Sequence, residues 1–271
     1  MGGCEDQYAS SSIEDYVKVI YSYTEWQDKP ITSSQLAQRL GVANSSVSEM
    51  VRKLKDQGLV DHQPYSAIRL TPQGMRLALS MVRRHRLIET YLVDELGYSW
   101  DEVHDEAEML EHAVSDTFIE RMSAKLGHPV RDPHGDPIPS EDGSVDLPHA
   151  YRMIELDQGH SGRITRISDE NPDLLRYLAS EEISLDAPVE VVGRKPFGGA
   201  LVVRIGSGAK GREFDLADEV TSALWVQSAE THEAASFQPG RLIPTSPGPI
   251  EPKRAIGQLG CPLAPPSSDA V

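Results

Sequence analysis

Two consecutive segments of the sequence concentrate histidines and carboxylates at helical spacing. The residues are His85 and Glu89 in the first segment, and His104, Glu108, Glu111 and His112 in the second. Residues three or four apart share one face of a helix, so three imidazoles and at least three carboxylates project from two neighbouring helices. Nitrogen and oxygen donors without thiolate suit Mn(II) or Fe(II), and they also accept Zn(II) or Co(II).

Three alternative roles for these groups compete with metal-dependent regulation. A single His-x3-Glu pair is commonly an exposed ion pair, but Glu108 and Glu111 repel each other at this spacing unless a cation lies between them. A metal-dependent hydrolase would use the same groups, and a ligand-sensing regulator would carry them only as surface pairs. The sequence shows no HExxH motif, no nucleophile with its base and no phosphate-binding glycine loop. We therefore expect neither an enzyme nor a small organic substrate.

Hydrophobic periodicity places the candidate ligands on helices. Apolar residues recur every three or four positions from Ser12 to about Trp26. A long helix is predicted from Thr71-Pro72 to Gly97, because threonine caps it and proline suits its first turn. Ser99 and Glu102 form a capping-box pattern for a helix that reaches Val114, and another helix covers Thr117 to Leu126.

The segment before the long helix predicts a DNA-binding module. Thr32 or Ser33 caps a short helix that ends at Gly41, and Asn44 or Ser45 opens a second helix that runs to Gly58. Leu59 to Leu70 then reads as a short hairpin, which would be a wing. The second helix of such a module enters the major groove. Its candidate DNA contacts are Ser45, Ser46, Ser48, Glu49, Arg52 and Lys53.

Charge and composition fit this assignment. The chain has a net charge of −16, but residues 31–90 carry nine basic and four acidic side chains, a local +5. Such a basic region can meet a DNA backbone, and a two-fold dimer on two half-sites is expected. The two cysteines, Cys4 and Cys261, exclude a disulfide framework. Neither a signal peptide nor a membrane span is apparent, so we expect a cytoplasmic protein without membrane partners.

The second half of the chain changes character after a Pro- and Gly-rich break from Gly127 to Pro148. Short apolar runs then predict a small β-barrel with one helix near Pro172 to Leu178. The predicted strands are Arg163–Ile167, Val189–Val192, Ala200–Ile205, Glu213–Asp215 and Ala223–Val226. Beyond residue 228 the chain is Pro-rich and is predicted to be disordered.

This order of elements resembles the diphtheria toxin repressor family of metal-dependent transcriptional repressors, and its manganese-responsive branch in particular. The resemblance covers about residues 12–227. The segments that carry it are Ser12-Ile13-Glu14-Asp15-Tyr16, Arg84-His85-Arg86-Leu87-Ile88-Glu89, Val103-His104-Asp105-Glu106-Ala107-Glu108 with Glu111-His112, and Pro133-His134-Gly135-Asp136-Pro137-Ile138-Pro139.

The resemblance implies a mainly α fold with a small C-terminal SH3-like β-barrel. The implied divisions are a winged helix-turn-helix domain at 1–74, a helical dimerisation and metal-binding domain at 75–140, a linker at 141–153, an SH3-like (FeoA-type) barrel at 154–228 and a tail at 229–271.

The resemblance also implies two metal sites. The primary site would use Asp15, Glu108, Glu111 and His112, and the ancillary site would use His85, Glu89 and His104. Asp132 stands where some members have a further primary ligand, and Asp169 or Glu170 is the candidate ancillary ligand from the barrel.

Two positions in the primary site bear on the metal. Iron-type members have methionine and cysteine where this sequence has Asp15 and Glu108, and oxygen in place of sulfur favours the harder Mn(II). Lys18 stands where some manganese regulators without the barrel have a second N-terminal carboxylate.

The expected function is therefore that of a Mn(II)-responsive repressor. It would bind a palindromic operator as a homodimer and control metal transport genes. The alternatives are an Fe(II)-dependent repressor of iron uptake genes and a winged-helix regulator that does not depend on metal.

Overall fold

The computed structural model describes residues 3–27, 29–64, 66–206, 208 and 211–228, with backbone alone for residues 3–10 and 228. The predicted disordered tail at 229–271 and the side chains of both cysteines lie outside the described residues. None of the described helices combines the length and apolar character that a membrane crossing requires.

The N-terminal part has the predicted helix, turn, helix and wing, but its first helix begins at Gly3, nine residues before the predicted start at Ser12. Its elements are α1 (Gly3–Glu25), α2 (Ser33–Leu40), α3 (Asn44–Asp56), β1 (Val60–Asp61) and β2 (Arg69–Leu70). Thr32 caps α2 in a capping box with Gln35, and Gly41 ends the helix at φ 65°. The two short strands pair antiparallel, which confirms the hairpin.

Three helices follow, namely α4 (Pro72–Leu96), α5 (Val103–Leu110) and α6 (Asp116–Lys125). Thr71 caps α4 through its side chain. Gly74 is required near the start of α4, because a Cβ there would lie 1.9 Å from the Leu59 carbonyl oxygen.

The predicted capping box of α5 is wrong. The helix starts at Val103 without a side-chain cap, because the Ser99 hydroxyl donates to the Glu102 carboxylate instead of holding the backbone. The helix also ends at Leu110, so Glu111 and His112 lie in the turn after it.

The C-terminal part is a six-stranded antiparallel sheet in the order β3-β8-β4-β5-β6-β7, with two helices, α7 and α8. The elements are β3 (Tyr151–Arg152), β4 (Ser161–Ile167), α7 (Pro172–Ser180), β5 (Pro188–Arg194), β6 (Leu201–Ile205), β7 (Arg212–Leu216), α8 (Asp218–Ser222) and β8 (Leu224–Ser228).

The predicted barrel is not closed. Within the described residues β3 and β7 form the two edges of the sheet and do not pair with each other. The sheet begins at Tyr151, three residues before the predicted start, since two residues are too few to show strand alternation. The five predicted strands are all present, and α8 was not predicted.

Separate hydrophobic clusters lie under these parts. One joins α1, α2 and α3 through side chains such as Val17, Leu36 and Val51. A second fills the sheet, and a third joins α4, α5 and α6. Trp26, just after α1, packs against Trp225 of β8 with ring centroids 5.8 Å apart, so the end of α1 contacts the sheet directly.

Candidate metal centre

One face of α1 presents three charged side chains towards α5 and the turn after it. Glu14, Asp15 and Lys18 fall within five consecutive residues, while Tyr16 and Val17 between them are buried in the core. The apolar stripe fixes the rotation of α1, because turning the helix would expose that stripe. Packing of the core therefore positions the charged face.

Asp15, Glu111 and His112 form the α1-side cluster, and each offers a ligand atom within 4.8 Å of the others. The Nε2 atom of His112 lies 2.8 Å from Asp15 Oδ1 and 3.4 Å from Glu111 Oε1. The other ring nitrogen, Nδ1, lies 2.8 Å from Glu14 Oε2. A carboxylate on the second nitrogen of a ligand histidine fixes its tautomer and orientation.

Lys18 enters the same region as a buried cation with 6% of its surface exposed. Its ammonium donates to Glu108 Oε1 at 2.7 Å and also to Glu111 Oε1. Burial lowers the pKa of Lys18, but the two carboxylates outweigh burial and raise it above its ordinary value. Lys18 is therefore charged and neutralises part of the acidic group.

His85, His104 and Glu108 form the central cluster. His85 connects its neighbours, because its Nδ1 lies 2.7 Å from Glu111 Oε2 and its Nε2 lies 3.2 Å from His104 Nδ1. The same Nε2 atom lies 3.0 Å from Glu89 Oε1. The central cluster thus joins the α1-side cluster to the residues next to the sheet.

Glu89, His134 and Asp169 form the sheet-side cluster. Asp169 follows β4, so the sheet contributes one side chain, and it lies 3.4 Å from His104 Nδ1. His134 is fully buried, and its Nε2 lies 2.7 Å from the Trp100 carbonyl oxygen. The predicted barrel ligand at position 169 therefore lies next to the predicted ancillary residues.

Electrostatics in the clusters hold protons on the imidazoles. Burial lowers the pKa of His85, but Glu89 and Glu111 outweigh burial and raise it to about 9. The pKa of His104 is likewise raised by Asp169 and Glu89 against burial. Burial raises the pKa of Glu89, and the neighbouring histidines then lower it well below its usual range. The described residues thus balance their carboxylates with protons, which a metal ion would replace.

The residues present fit a divalent cation. Glu89 Oε1 and His134 Nδ1 are buried and lack an aligned hydrogen-bond partner, although polar atoms buried in this way are normally satisfied. Both atoms are metal-ligand types, and both belong to the sheet-side cluster. Carboxylates and imidazoles on five parts of the chain supply the donor set, and helical spacing predicted those on α4 and around α5.

Two candidate ligands lie elsewhere. The Oδ1 atom of Asp132 accepts from the backbone of His134 and Asp136, both at 2.9 Å, and so closes its own loop. Burial, together with the charges of Asp136 and Glu89, raises the pKa of Asp132 to about 8. Glu170 pairs with Arg39 of α2 at 2.7 Å. Neither belongs to a three-residue metal group among the described residues.

The loop around Asp132 is anchored by buried ion pairs. Arg86 of α4 donates to both carboxylate oxygens of Glu25, at 2.9 and 2.6 Å, and to the Pro137 carbonyl oxygen. Asp136 accepts from Trp26 and from Arg166 of β4. These contacts join α1, α4, the loop and the sheet next to the sheet-side cluster.

The predicted DNA contacts lie on the exposed side of α3. Val47, Val51 and Leu54 are buried against the core. All six predicted contacts are exposed, namely Ser45, Ser46, Ser48, Glu49, Arg52 and Lys53. Their exposure matches the expected arrangement of a reading helix.

Sequence reasoning missed His134 and Glu14 as members of the site. His134 is a lone histidine in a Pro-rich loop, and no periodicity connects it to α4. The motif Pro133-His134-Gly135 was the available signal. Glu14 directly precedes Asp15, and this position next to a candidate ligand on α1 could have identified it.

Comparison with known families divides the chain into three matched segments. Residues 9–68 match "Iron dependent repressor, N-terminal DNA binding domain", and residues 71–140 match "Iron dependent repressor, metal binding and dimerisation domain". Residues 151–228 match the FeoA domain.

Individual relatives agree with these matches. The diphtheria toxin repressor of Corynebacterium glutamicum is 30% identical over 226 residues, which is 80% of this chain and 96% of that protein. The iron-dependent repressor IdeR of Mycobacterium tuberculosis is 31% identical over 203 residues, 70% of this chain and 87% of that protein. A solved structure described as a manganese-dependent transcriptional repressor in complex with manganese is 52% identical, with a TM-score of 0.76. It covers 80% of this chain and 99% of its own.

Proposed function

Because the chain belongs to the diphtheria toxin repressor family of metal-dependent transcriptional repressors, we propose that Mn(II) is the ion that activates it. The family consists of DNA-binding regulators and not of enzymes. Its relatives are named for iron or for manganese, so the choice of ion has to be argued from this chain's own ligands.

The donor set of the α1-side cluster supports manganese. Asp15 and Glu111 offer carboxylate oxygens, and His112 offers one imidazole. Glu108 of the central cluster adds a further carboxylate next to Glu111, since Lys18 contacts both. Oxygen-rich sets suit harder ions such as Mn(II) better than sets that contain thiolate or thioether. The similar structure that contains manganese adds to this argument.

Helix α1 provides the connection to DNA. It contributes Asp15 to the α1-side cluster, while its buried residues Val17 and Ile20 pack in the same core as Val47 of α3. A bound divalent ion would supply the positive charge that holds the opposed carboxylates together. Asp15 would then hold α1 against the turn after α5, and α1 would fix the position of the reading helix. A tenfold preference for the DNA-competent state corresponds to about 1.4 kcal/mol.

We further propose that the sheet-side cluster takes a second ion together with His85 and His104. The buried Nδ1 atom of His134, which lacks a hydrogen-bond partner, and the ligand Asp169 from the sheet support this assignment. In this proposal Asp169 ties the sheet to α4 and α5.

The DNA-bound form is proposed to be a homodimer on a palindromic operator that controls metal transport genes. The match to a dimerisation domain supports the dimer. Within the same segment Leu96, Met109 and Phe118 are large apolar side chains with 59, 75 and 49% of their surface exposed. We propose that the dimer interface covers these side chains.

The proposal is tested by DNA binding of the chelator-treated chain. The probe is a labelled duplex from the region upstream of the gene for this chain, titrated at a stated salt concentration because phosphate contacts are salt-sensitive. Mn(II), Zn(II), Co(II) and, under anaerobic conditions, Fe(II) are added separately. We expect binding only with metal and activation by Mn(II) at concentrations below those required of Fe(II). The variant His149→Ala is the control for metal binding by an exposed histidine outside the three clusters, and it should respond to metal as wild type does.

Other outcomes decide between the alternatives. Activation by Fe(II) at lower free concentration than Mn(II) would support the iron-dependent repressor. Binding that ignores both chelator and metal would overturn the metal response and favour a winged-helix regulator of another kind.

A further inference from the structure

Lys18 lies where the carboxylates of the metal centre come closest to α1. It is three residues after Asp15, and its ammonium contacts both Glu108 and Glu111. We propose that Lys18 is a built-in competing cation, which raises the Mn(II) concentration needed for occupancy and restricts this part of the centre to one ion. The inference rests on the proposed manganese response and deepens it.

Burial explains why Lys18 stays in this position. An ammonium with 6% exposure is costly unless it is paired, and Glu108 and Glu111 are the two acceptors that pair it. Breaking these contacts would leave the buried ammonium uncompensated and would leave the buried Glu111 with His85 as its remaining close cation. The arrangement is therefore persistent in the metal-free protein.

The same contacts put Lys18 in competition with a divalent ion. Glu111 is fully buried, and its Oε2 atom is already engaged by His85 at 2.7 Å. The remaining atom, Oε1, is shared by Lys18 and, at 3.4 Å, by His112. A cation bound to Oε1 would lie next to the ammonium, where charge repulsion is screened much less than in water. Affinity must therefore be lower than for the same ligands without Lys18.

The position of the ammonium also limits the number of ions. Two ions close together require carboxylates that bridge them, and Glu108 and Glu111 are the pair that α5 and the turn after it present to Lys18 of α1. Lys18 occupies the space between these two carboxylates with three hydrogen-bond donors and no lone pair for a metal. A second ion would have to displace it. The Lys18 ammonium thus takes the place that a further ion between Glu108 and Glu111 would need, and it supplies one positive charge there.

Direct Mn(II) binding to the full-length chain tests this role. Free Mn(II) is followed by its electron paramagnetic resonance signal after removal of metal, in wild type, Lys18→Met, Lys18→Arg and the control Lys29→Met, whose lysine is exposed. We expect Lys18→Met to bind its tightest ion about tenfold to a hundredfold more strongly. Lys18→Arg and Lys29→Met should remain close to wild type. A further variant, Lys18→Glu, is measured in the same way and should bind one more Mn(II) ion per chain than wild type.

Thermal unfolding separates competition from a structural role. Without metal, Lys18→Met should melt below wild type, because Glu108 and Glu111 lose their partner. Saturating Mn(II) should raise the melting temperature of Lys18→Met more than that of wild type, since stabilisation grows with affinity. In an Asp15→Asn background the substitution at Lys18 should lose most of its effect on affinity.

Each result is decisive. Equal Mn(II) affinity and equal melting-temperature gains in wild type and Lys18→Met would overturn the role of Lys18 and leave the proposed function intact. Mn(II) binding by Lys18→Met but not by wild type would contradict the proposed manganese response and support Lys18 as the competitor. Absence of binding in both proteins would overturn both proposals.

Discussion

The α1-side and sheet-side clusters use the same ligand types but are built differently. The α1-side cluster is formed by a helix of the DNA-binding part opposite the turn after α5, and Asp15 and His112 are partly exposed. It already contains a cation, Lys18. The sheet-side cluster is buried around His134 and Glu89, and His134 Nδ1 lacks a hydrogen-bond partner. The contrast suggests that the first responds to metal concentration, whereas the second joins the sheet to the helices.

The largest expected effect comes from removing the α1 ligand. Asp15→Asn keeps the shape of the side chain and removes its charge, so the link between α1 and the turn after α5 is lost. We expect operator binding to fall at least about a hundredfold at Mn(II) concentrations that saturate wild type. The variant should remain a folded dimer by sedimentation and circular dichroism, and Asp105→Asn on the exposed side of α5 is the matched control.

A variant that required the same metal concentration as wild type would remove Asp15 from the proposed site. Loss of binding together with loss of the dimer would mean that α1 supports the fold and not the response to metal.

A smaller effect is expected at the sheet-side cluster. His134→Ala removes a buried ring whose Nδ1 lacks a hydrogen-bond partner, so binding of an ion there should weaken about tenfold to a hundredfold. Operator binding at saturating Mn(II) should be retained. The number and affinity of bound Mn(II) ions are measured for His134→Ala and wild type, and operator binding is measured for the same two proteins. If His134→Ala abolished operator binding as fully as Asp15→Asn does, the two clusters would not have separate roles.

The protonation of His85 should make the stability of the metal-free chain depend on pH, with a smaller effect than the substitutions above. The pKa of His85 is about 9 in the folded protein, above its unfolded value near 6.5. Its contribution to stability is therefore fully present below about pH 6.5 and is lost as the pH rises through about 9. The slope is at most about 1.4 kcal/mol per pH unit for one proton. Melting temperatures in chelator should fall from pH 7 to 9.5.

The same protons give the opposite slope for metal binding. Because a metal ion replaces them, Mn(II) affinity should rise over the same range. His85→Gln should remove the part of the fall in metal-free stability that His85 contributes and leave the part that His104 contributes. A metal-free chain that became more stable between pH 7 and 9 would contradict the assigned protonation of the cluster.

The fold was predictable where the signal is local. Helical periodicity located α1 and α4, and polar turn residues between apolar pairs located the wing. The candidate ligands on α4 and α5 were found by spacing, because side chains four apart must share a face. Closure of the sheet was predicted wrongly, since the pairing of its edge strands depends on contacts distant in sequence.

The grouping of the ligands was not predictable in the same way. Helical spacing placed Glu108 and His112 on one continuous face, but α5 ends at Leu110 and places them in different clusters. His134 joins the site only because its loop is closed by Asp132, a tertiary arrangement with no periodic signature. Asp15 came from family resemblance and not from spacing.

The smallest expected effect concerns the orientation of His112. Glu14 lies 2.8 Å from His112 Nδ1, and about a quarter of its side chain is exposed. Solvent weakens a partly exposed pair, so Glu14→Gln should reduce Mn(II) affinity only about threefold, less than a buried orienting group would. Glutamine can still accept a hydrogen bond but carries no charge. If Glu14 orients His112, Glu14→Ala should lower Mn(II) affinity more than Glu14→Gln does. If only the charge of Glu14 acts, the two variants should lower Mn(II) affinity equally. Equal binding in wild type and both variants would assign the orientation of His112 to Asp15 alone.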